Sequence, residues 1–359
     1  MDREPDFLLD SYLFDLPQDL VAQSPAEPRD CSRLMVVDKG QGVAELGQFS
    51  DLGRFLPPGA LLVANNTKVL PARLTTTKPT GGAVELLLLT PLPLITPQER
   101  GDWREARVEA LVRAKKVRPG DKIRFADDLE AEIISRGEFG RSQVLLRWQG
   151  DLAGIFERLG HVPLPPYIQR PDQPQDRARY QTVYADPAKQ GSAAAPTAGL
   201  HFTPDLRQAL AQAGFGWAEV TLHVGYGTFS PVRVADIREH RMHAEYFEIP
   251  GETAEKILEA KAQGRKVIAV GTTSARTLEG AFALSGAVKA QAGWTEVFIT
   301  PGHRFQVVDG MVTNFHLPAS SLVIMISALA GRKVILDAYA QAVRQGFRFF
   351  SYGDAMLIR

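Results

Sequence analysis

Between about Val69 and Trp148 the chain is a succession of short strand-like runs, Val84 to Leu89, Val108 to Val112, Lys122 to Phe125, Glu130 to Ile134 and Gln143 to Trp148. Proline, glycine and charged turns separate them, and no helical period intervenes. Runs this short cannot each bury a face alone, so they must pair into a small antiparallel β-barrel. Both flanks read differently. Arg33 to Lys39 and Val43 to Phe49 are strands around a glycine turn, and Leu61 to Ala64 is a buried strand. Beyond the all-β stretch, Asp151 opens a helix with Leu152, Ile155, Phe156 and Leu159 on one face, and Thr203-Pro204 begins another with Leu206 and Leu210. A strand through Val220 to Val224 follows. Lys266 to Val270 is a further buried strand leading into a helix near Thr277 to Ala283. Asp309-Gly310 reads as a tight hairpin between Phe305 to Val308 and Met311 to Asn314. Helices at Ser321 to Leu329 and Val334 to Arg344 precede a strand at Phe347 to Ser351. The pattern predicts an α/β main domain, residues 1–66 and 151–359, carrying an inserted antiparallel β-barrel domain, residues 67–150.

Composition narrows the chemistry. The single cysteine, Cys31, excludes an intrachain disulfide framework and a cysteine metal cluster. Histidines 201, 223, 243 and 316 lack the short spacing of a metal-binding helix, so no metal is expected. No signal-peptide core or membrane-length apolar run occurs, and the expectation is a soluble, cytoplasmic protein without membrane contact. Forty-one basic and forty-one acidic side chains cancel, so any polyanion site must come from local segregation. The clearest excess is Arg107 to Arg124, where Arg113, Lys115, Lys116 and Arg118 cluster on the predicted barrel. Such a run is either a solvated face or a phosphate grip.

Four segments could carry chemistry. Val267 to Glu279 sets backbone N–H groups, Thr272, Thr273, Ser274 and Arg276 around a helix N-terminus, where an anion or carboxylate is favoured; a plain hydroxyl cap is the other reading. His223-Val224-Gly225-Tyr226-Gly227-Thr228 follows a strand, and its glycines allow close backbone approach to a ligand. It is faintly similar to the glycine turn of S-adenosylmethionine-dependent methyltransferases, but lacks the preceding acidic residue and the third glycine. His201 and His316 each stand just before a predicted helix start, where an imidazole is either a proton carrier or a hydrogen-bonded structural group. Asn65 to Leu74 packs polar groups between two apolar strands at the domain junction.

Together these segments resemble the S-adenosylmethionine:tRNA ribosyltransferase-isomerase family over essentially the whole chain. The resemblance runs through Pro71-Ala72-Arg73-Leu74, Gly160 to Ile168, Tyr180 to Tyr184, Ala194 to Phe202, Leu222 to Phe229 and Met242 to Tyr246. It continues through Val270 to Arg276, Val312 to Leu317 and Phe349 to Met356. Departures are Tyr226 where alanine is usual, Thr300 and His303 in place of aromatic residues, and Ser321 in place of threonine. The resemblance implies six strands in the barrel. It also implies S-adenosylmethionine as a consumed ribosyl donor, with no cofactor. The implied acceptor is 7-aminomethyl-7-deazaguanine at the wobble position of tRNAs with GUN anticodons. The products would be epoxyqueuosine in tRNA, adenine and methionine.

On this reading His223 leads the proton-transfer candidates, followed by His316 and His201. Asn66, Arg73, Thr228, Thr272, Thr273, Ser274, Arg276 and Asn314 are candidate substrate contacts, and Arg113, Lys115, Lys116 and Arg118 candidate tRNA contacts. A monomer is expected. Two other functions fit parts of the sequence. A methyltransferase would leave S-adenosylhomocysteine instead of adenine and methionine. A non-catalytic RNA-binding module would leave the histidine segments outside the barrel unexplained.

Overall fold

The computed structural model describes residues 5–78, 81–225 and 232–359. A nine-stranded mixed sheet forms its larger part. Four central strands, Gly216–Leu222, Leu61–Asn65, Val267–Val270 and Gly310–Asn314, run parallel in that order. Ala355–Ile358 pairs antiparallel with the last of these and parallel with Arg33–Asp38, and Gly42–Gln48 closes that edge. The four residues of Val267–Val270 are all buried, as expected of a parallel strand covered on both faces. Helices cover the sheet, and residues such as Phe247, Ile257, Leu278 and Ile324 fill one side of it.

The barrel is a nearly closed sheet of six antiparallel strands in the order Arg73–Thr77, Ala83–Leu88, Trp103–Ala114, Arg141–Trp148, Leu129–Arg136 and Lys122–Ala126, with a short flap, Gln98–Arg100, on the longest. Its two end strands meet where the Thr76 hydroxyl donates to the Arg124 carbonyl at 3.1 Å. Alternate residues such as Leu86, Val108, Ile133, Val144 and Leu146 point inward. The Leu152–Leu159 helix, capped by Asp151 as its sequence predicts, adds Leu152, Ile155 and Phe156 to that core. The chain leaves the main sheet after Leu61–Asn65 and re-enters beside the same strand at Gly216–Leu222, so the barrel interrupts a continuous sheet. At the crossing Arg73 and His161 exchange backbone hydrogen bonds at 3.3 and 2.8 Å. Gly160 is required there, because a Cβ would stand 1.8 Å from the Pro71 carbonyl oxygen.

Two sequence expectations fail for a shared reason. Phe305 to Val308 forms no hairpin strand, because the buried Glu279 carboxylate accepts the N–H groups of Gln306, Val307 and Val308 at 3.0, 2.9 and 2.9 Å. Gly310–Asn314 therefore pairs with distant strands. Phe347 to Ser351 is likewise a turn, with Phe350 at φ 70°. The Asp354 carboxylate takes the N–H groups of Arg348 and Arg33 at 2.8 and 3.0 Å, and the strand begins only at Ala355. In both places a side-chain carboxylate consumes the donors a ladder would need.

Candidate active site

A cavity of about 190 Å³ opens beyond the carboxyl ends of the parallel strands, the usual ligand position in such sheets. Its walls come from separate parts of the chain: Ala194 to Ala198, Gly271 to Thr273, Thr313 to Leu322, and Tyr167 with Phe350 and Ser351. Gly271, at φ 89°, makes the sharp passage from strand to helix that a side chain would strain. The helix Thr272–Ser285 starts there with no side-chain cap. Ser274 donates back to the Val270 carbonyl at 2.8 Å, and the Thr273 Oγ1 atom, although buried, has no hydrogen-bond partner among the described residues. The cavity thus meets a helix N-terminus with free donors and an unused hydroxyl, an arrangement suited to a carboxylate or ribose oxygen. The opposite wall is aromatic. Tyr167 stacks on Phe350 with centroids 4.4 Å apart and shares a 2.5 Å hydrogen bond with Ser351.

The three candidate histidines lie on different surfaces. His316 lines the cavity; its Nε2 is 2.8 Å from the Thr313 hydroxyl, and burial pushes its pKa down to about 3. His201 lies behind the wall. The Asn314 side-chain amide donates to its Nε2 at 2.9 Å, Ser32 Oγ lies 2.7 Å from its Nδ1, and burial lowers it to about 3. His223 faces away from the cavity, as strand-like alternation requires: Val224 lines the cavity, while His223 and Gly225 line a second recess of about 270 Å³. Its Nδ1 is 3.3 Å from the Thr67 hydroxyl, its Nε2 has no partner among the described residues, and burial brings it to about 4. Burial keeps all three imidazoles neutral at pH 7, and at His201 both ring nitrogens are already engaged.

Among the proposed substrate contacts, Thr272, Thr273 and Asn314 line the cavity, and Asn314 accepts from Thr197 at 2.9 Å. Arg276 is one turn further along the helix and buried, paired with the buried Glu245, whose other oxygen accepts the Gly225 N–H at 3.0 Å. Its charge is spent on joining the helix to the His223–Gly225 segment. Asn66 accepts from Thr221 at 2.7 Å within the sheet, and Arg73 holds the Leu164 carbonyl at 3.0 Å at the barrel junction; neither lines the cavity. Thr228 and Tyr226 lie outside the described residues.

The sequence reading assigned no role to Tyr167, Thr197, Phe350 or Ser351, all on the cavity wall. Their signal was present, since they sit in the Gly160 to Ile168, Ala194 to Phe202 and Phe349 to Met356 segments. On the barrel, Arg113, Lys115, Lys116 and Arg118 are exposed. Among the described residues no group of three or more histidine, cysteine, aspartate or glutamate side chains could hold a metal, and no helix is long and apolar enough to cross a membrane.

The family model for queuosine biosynthesis proteins matches residues 9–358. The chain belongs to this family. It is 58% identical over 363 residues to the S-adenosylmethionine:tRNA ribosyltransferase-isomerase of Nitratidesulfovibrio vulgaris strain Hildenborough, covering 99% of this chain and 98% of that one. It is 59% identical over 355 residues to the enzyme of the same name from Oleidesulfovibrio alaskensis, covering 98% and 93%. Among solved structures in the family, the S-adenosylmethionine tRNA ribosyltransferase of Thermotoga maritima is 34% identical, covers 99% of this chain and 100% of its own, and superposes with a TM-score of 0.54.

Proposed function

We propose that this protein transfers and isomerises the ribosyl moiety of S-adenosylmethionine onto 7-aminomethyl-7-deazaguanine at the wobble position of tRNAs with GUN anticodons. The products are epoxyqueuosine in tRNA, adenine and methionine. The observation that carries this reading is end-to-end identity of 58% to a relative bearing the ribosyltransferase-isomerase name. S-Adenosylmethionine is a consumed substrate in this reaction, and the work is done in the cytoplasm, where tRNA is modified.

The donor belongs in the cavity. Its carboxylate or ribose oxygens suit the uncapped N-terminus of the Thr272–Ser285 helix and the Thr273 hydroxyl, which has no partner among the described residues. Its apolar parts suit the Tyr167 and Phe350 wall. The sulfonium acidifies the adjacent 5′ carbon, so a neutral imidazole can begin the reaction by taking that proton. His316, on the cavity wall, is the residue we assign to taking that proton. His223, which lines the second recess and whose Nε2 has no partner among the described residues, is assigned to proton transfer on the acceptor side. The adenine that departs needs a proton on its ring nitrogen. The acceptor amine must arrive neutral and oriented, and most of the rate depends on that positioning.

Incubation with S-adenosylmethionine and tRNA carrying the aminomethyl base tests the assignment. Adenine, methionine and the modified nucleoside are expected in equal amounts. S-Adenosylhomocysteine would identify a methyltransferase instead, and adenine without modified tRNA would leave only a hydrolase.

A further inference from the structure

The recess beside His223 continues along the barrel. A second hollow of about 380 Å³ shares Glu109, Arg141 and His243 with it, so the two form one groove between the barrel and the main sheet. An exposed aromatic ring stands at each end: Phe139, 62% exposed, and Trp294, 55% exposed. Phe139 sits at the tip of the turn closed by Gly137 N–H to Arg141 carbonyl at 2.7 Å, and its φ is 54°. A bulky ring in the left-handed region and mostly turned to solvent gains little from packing, which points to a purpose other than folding. The Arg233 guanidinium lies 4.2 Å from its ring centroid, and Arg136 and Arg141 line the same hollow. Two carboxylates face these cations: Glu109, held by Arg141 at 2.7 Å, and Glu138. At the other end Trp294 meets Tyr246 edge to face at 5.6 Å, and Tyr246 stacks alongside His223.

We propose that this groove seats single-stranded RNA, with bases flanking the reacting nucleotide stacked on Phe139 and Trp294. Exposed rings beside arginines are the physical requirement for gripping unpaired nucleotides, since every base has a π face and every linkage a negative charge. The groove also passes, between its two rings, the Nε2 of His223, which has no partner among the described residues. The proposal rests on the tRNA reading above and adds where the anticodon loop lies.

The test uses Phe139→Asn, which tolerates the left-handed turn, together with Trp294→Ala and Trp294→Phe. Binding is measured with a labelled anticodon stem-loop bearing a GUN anticodon, alongside ribosyl transfer to full tRNA. Phe139→Asn and Trp294→Ala each weaken stem-loop binding by about 5- to 150-fold and raise the tRNA KM, with the S-adenosylmethionine KM unchanged. Trp294→Phe retains most of the affinity. Native binding and transfer in both ring-deleted variants, beside a wild type that modifies tRNA, overturns the groove assignment alone. A wild type that binds no stem-loop and modifies no tRNA overturns the functional reading, and this proposal with it.

Discussion

The Asn314 side-chain amide donates to Nε2 of His201 across 2.9 Å, so the ring proton of that histidine sits on Nδ1, facing Ser32 Oγ at 2.7 Å. Both nitrogens are occupied, and through Asn314 the imidazole aligns a group on the cavity wall. His201 is a positioning residue, in contrast to His223 and His316. Replacing His223 or His316 by Asn is expected to slow the chemical step by about 100- to 10,000-fold in single-turnover assays. His201→Gln should instead raise the S-adenosylmethionine KM more than it lowers kcat. A kcat loss above about 100-fold with native KM would make His201 a proton carrier.

The same burial predicts how stability depends on pH. His201, His316 and His223 have folded pKa values of about 3, 3 and 4, below the 6.5 of an unfolded histidine. The unfolded chain therefore binds more protons between these limits. Stability contributed by the neutral rings is complete above pH 6.5 and is lost as pH falls toward 4, at about 1.4 kcal/mol per pH unit for each histidine. Denaturant unfolding at pH 7.5, 6 and 5 should show this decline, and His201→Gln should make it shallower. Equal slopes in the two proteins would show that this ring does not titrate on unfolding.

Thr273→Val separates ligand binding from folding. The hydroxyl it removes is buried and has no partner among the described residues, so its loss should leave the unfolding midpoint unchanged or higher. If that oxygen serves the donor, the S-adenosylmethionine KM rises roughly 2- to 13-fold, the equivalent of about 0.5–1.5 kcal/mol for one hydrogen bond. A native KM would place the donor elsewhere on the cavity wall.

Arg276 behaves differently. Removing its guanidinium breaks a buried ion pair with Glu245, so Arg276→Met should cost about 3–5 kcal/mol of stability. Arg276→Met with Glu245→Gln should recover much of that loss, because both charges of the buried pair are then removed together. Urea titration of the single and double variants decides it. A double variant no more stable than the single would mean that the ion pair is not what holds the helix to the His223–Gly225 segment.

The sequence revealed what depends on local pattern. The barrel runs, the Asp151 and Thr203 caps and the buried Val267–Val270 strand all follow from periodicity and capping chemistry that a short window contains. It hid what depends on distant partners. Nothing near Phe305 announces that Glu279 will take three of its neighbours' N–H groups, and nothing near Phe347 announces that Asp354 will join Arg348 to the distant Arg33 through their N–H groups. Arg276 looked like an anion ligand because Glu245, thirty-one positions away, becomes its neighbour only after the sheet forms. The alternation of Val224 and His223 onto opposite surfaces was legible in principle, but which side held the cavity was set by Thr272–Ser285 and Gly310–Asn314 together.

The basic stretch of the barrel supplies the last prediction. Arg113 is exposed but lies 3.6 Å from Glu85, whereas no carboxylate among the described residues lies within 4 Å of Lys115 or Lys116. The Lys78 ammonium adds a further cation, donating to the Lys115 and Lys116 carbonyls at 3.3 and 3.4 Å. Strand register puts this cluster about four residues, roughly 13 Å, from the Arg73 junction, at the outer end of the barrel. The same register sets Lys115 beside the Gly137–Gly140 turn, at the Phe139 end of the groove, and a grip on backbone phosphates there should bind cognate and non-cognate tRNA alike. Lys115→Glu with Lys116→Glu should weaken both, and reduce the slope of log affinity against log salt by about 0.7 to 0.9 for each phosphate that is no longer neutralised. S-Adenosylmethionine binding should stay native. If the salt slope for full tRNA is also unchanged in a folded variant, the cluster is a solvated face, and the phosphates are held elsewhere.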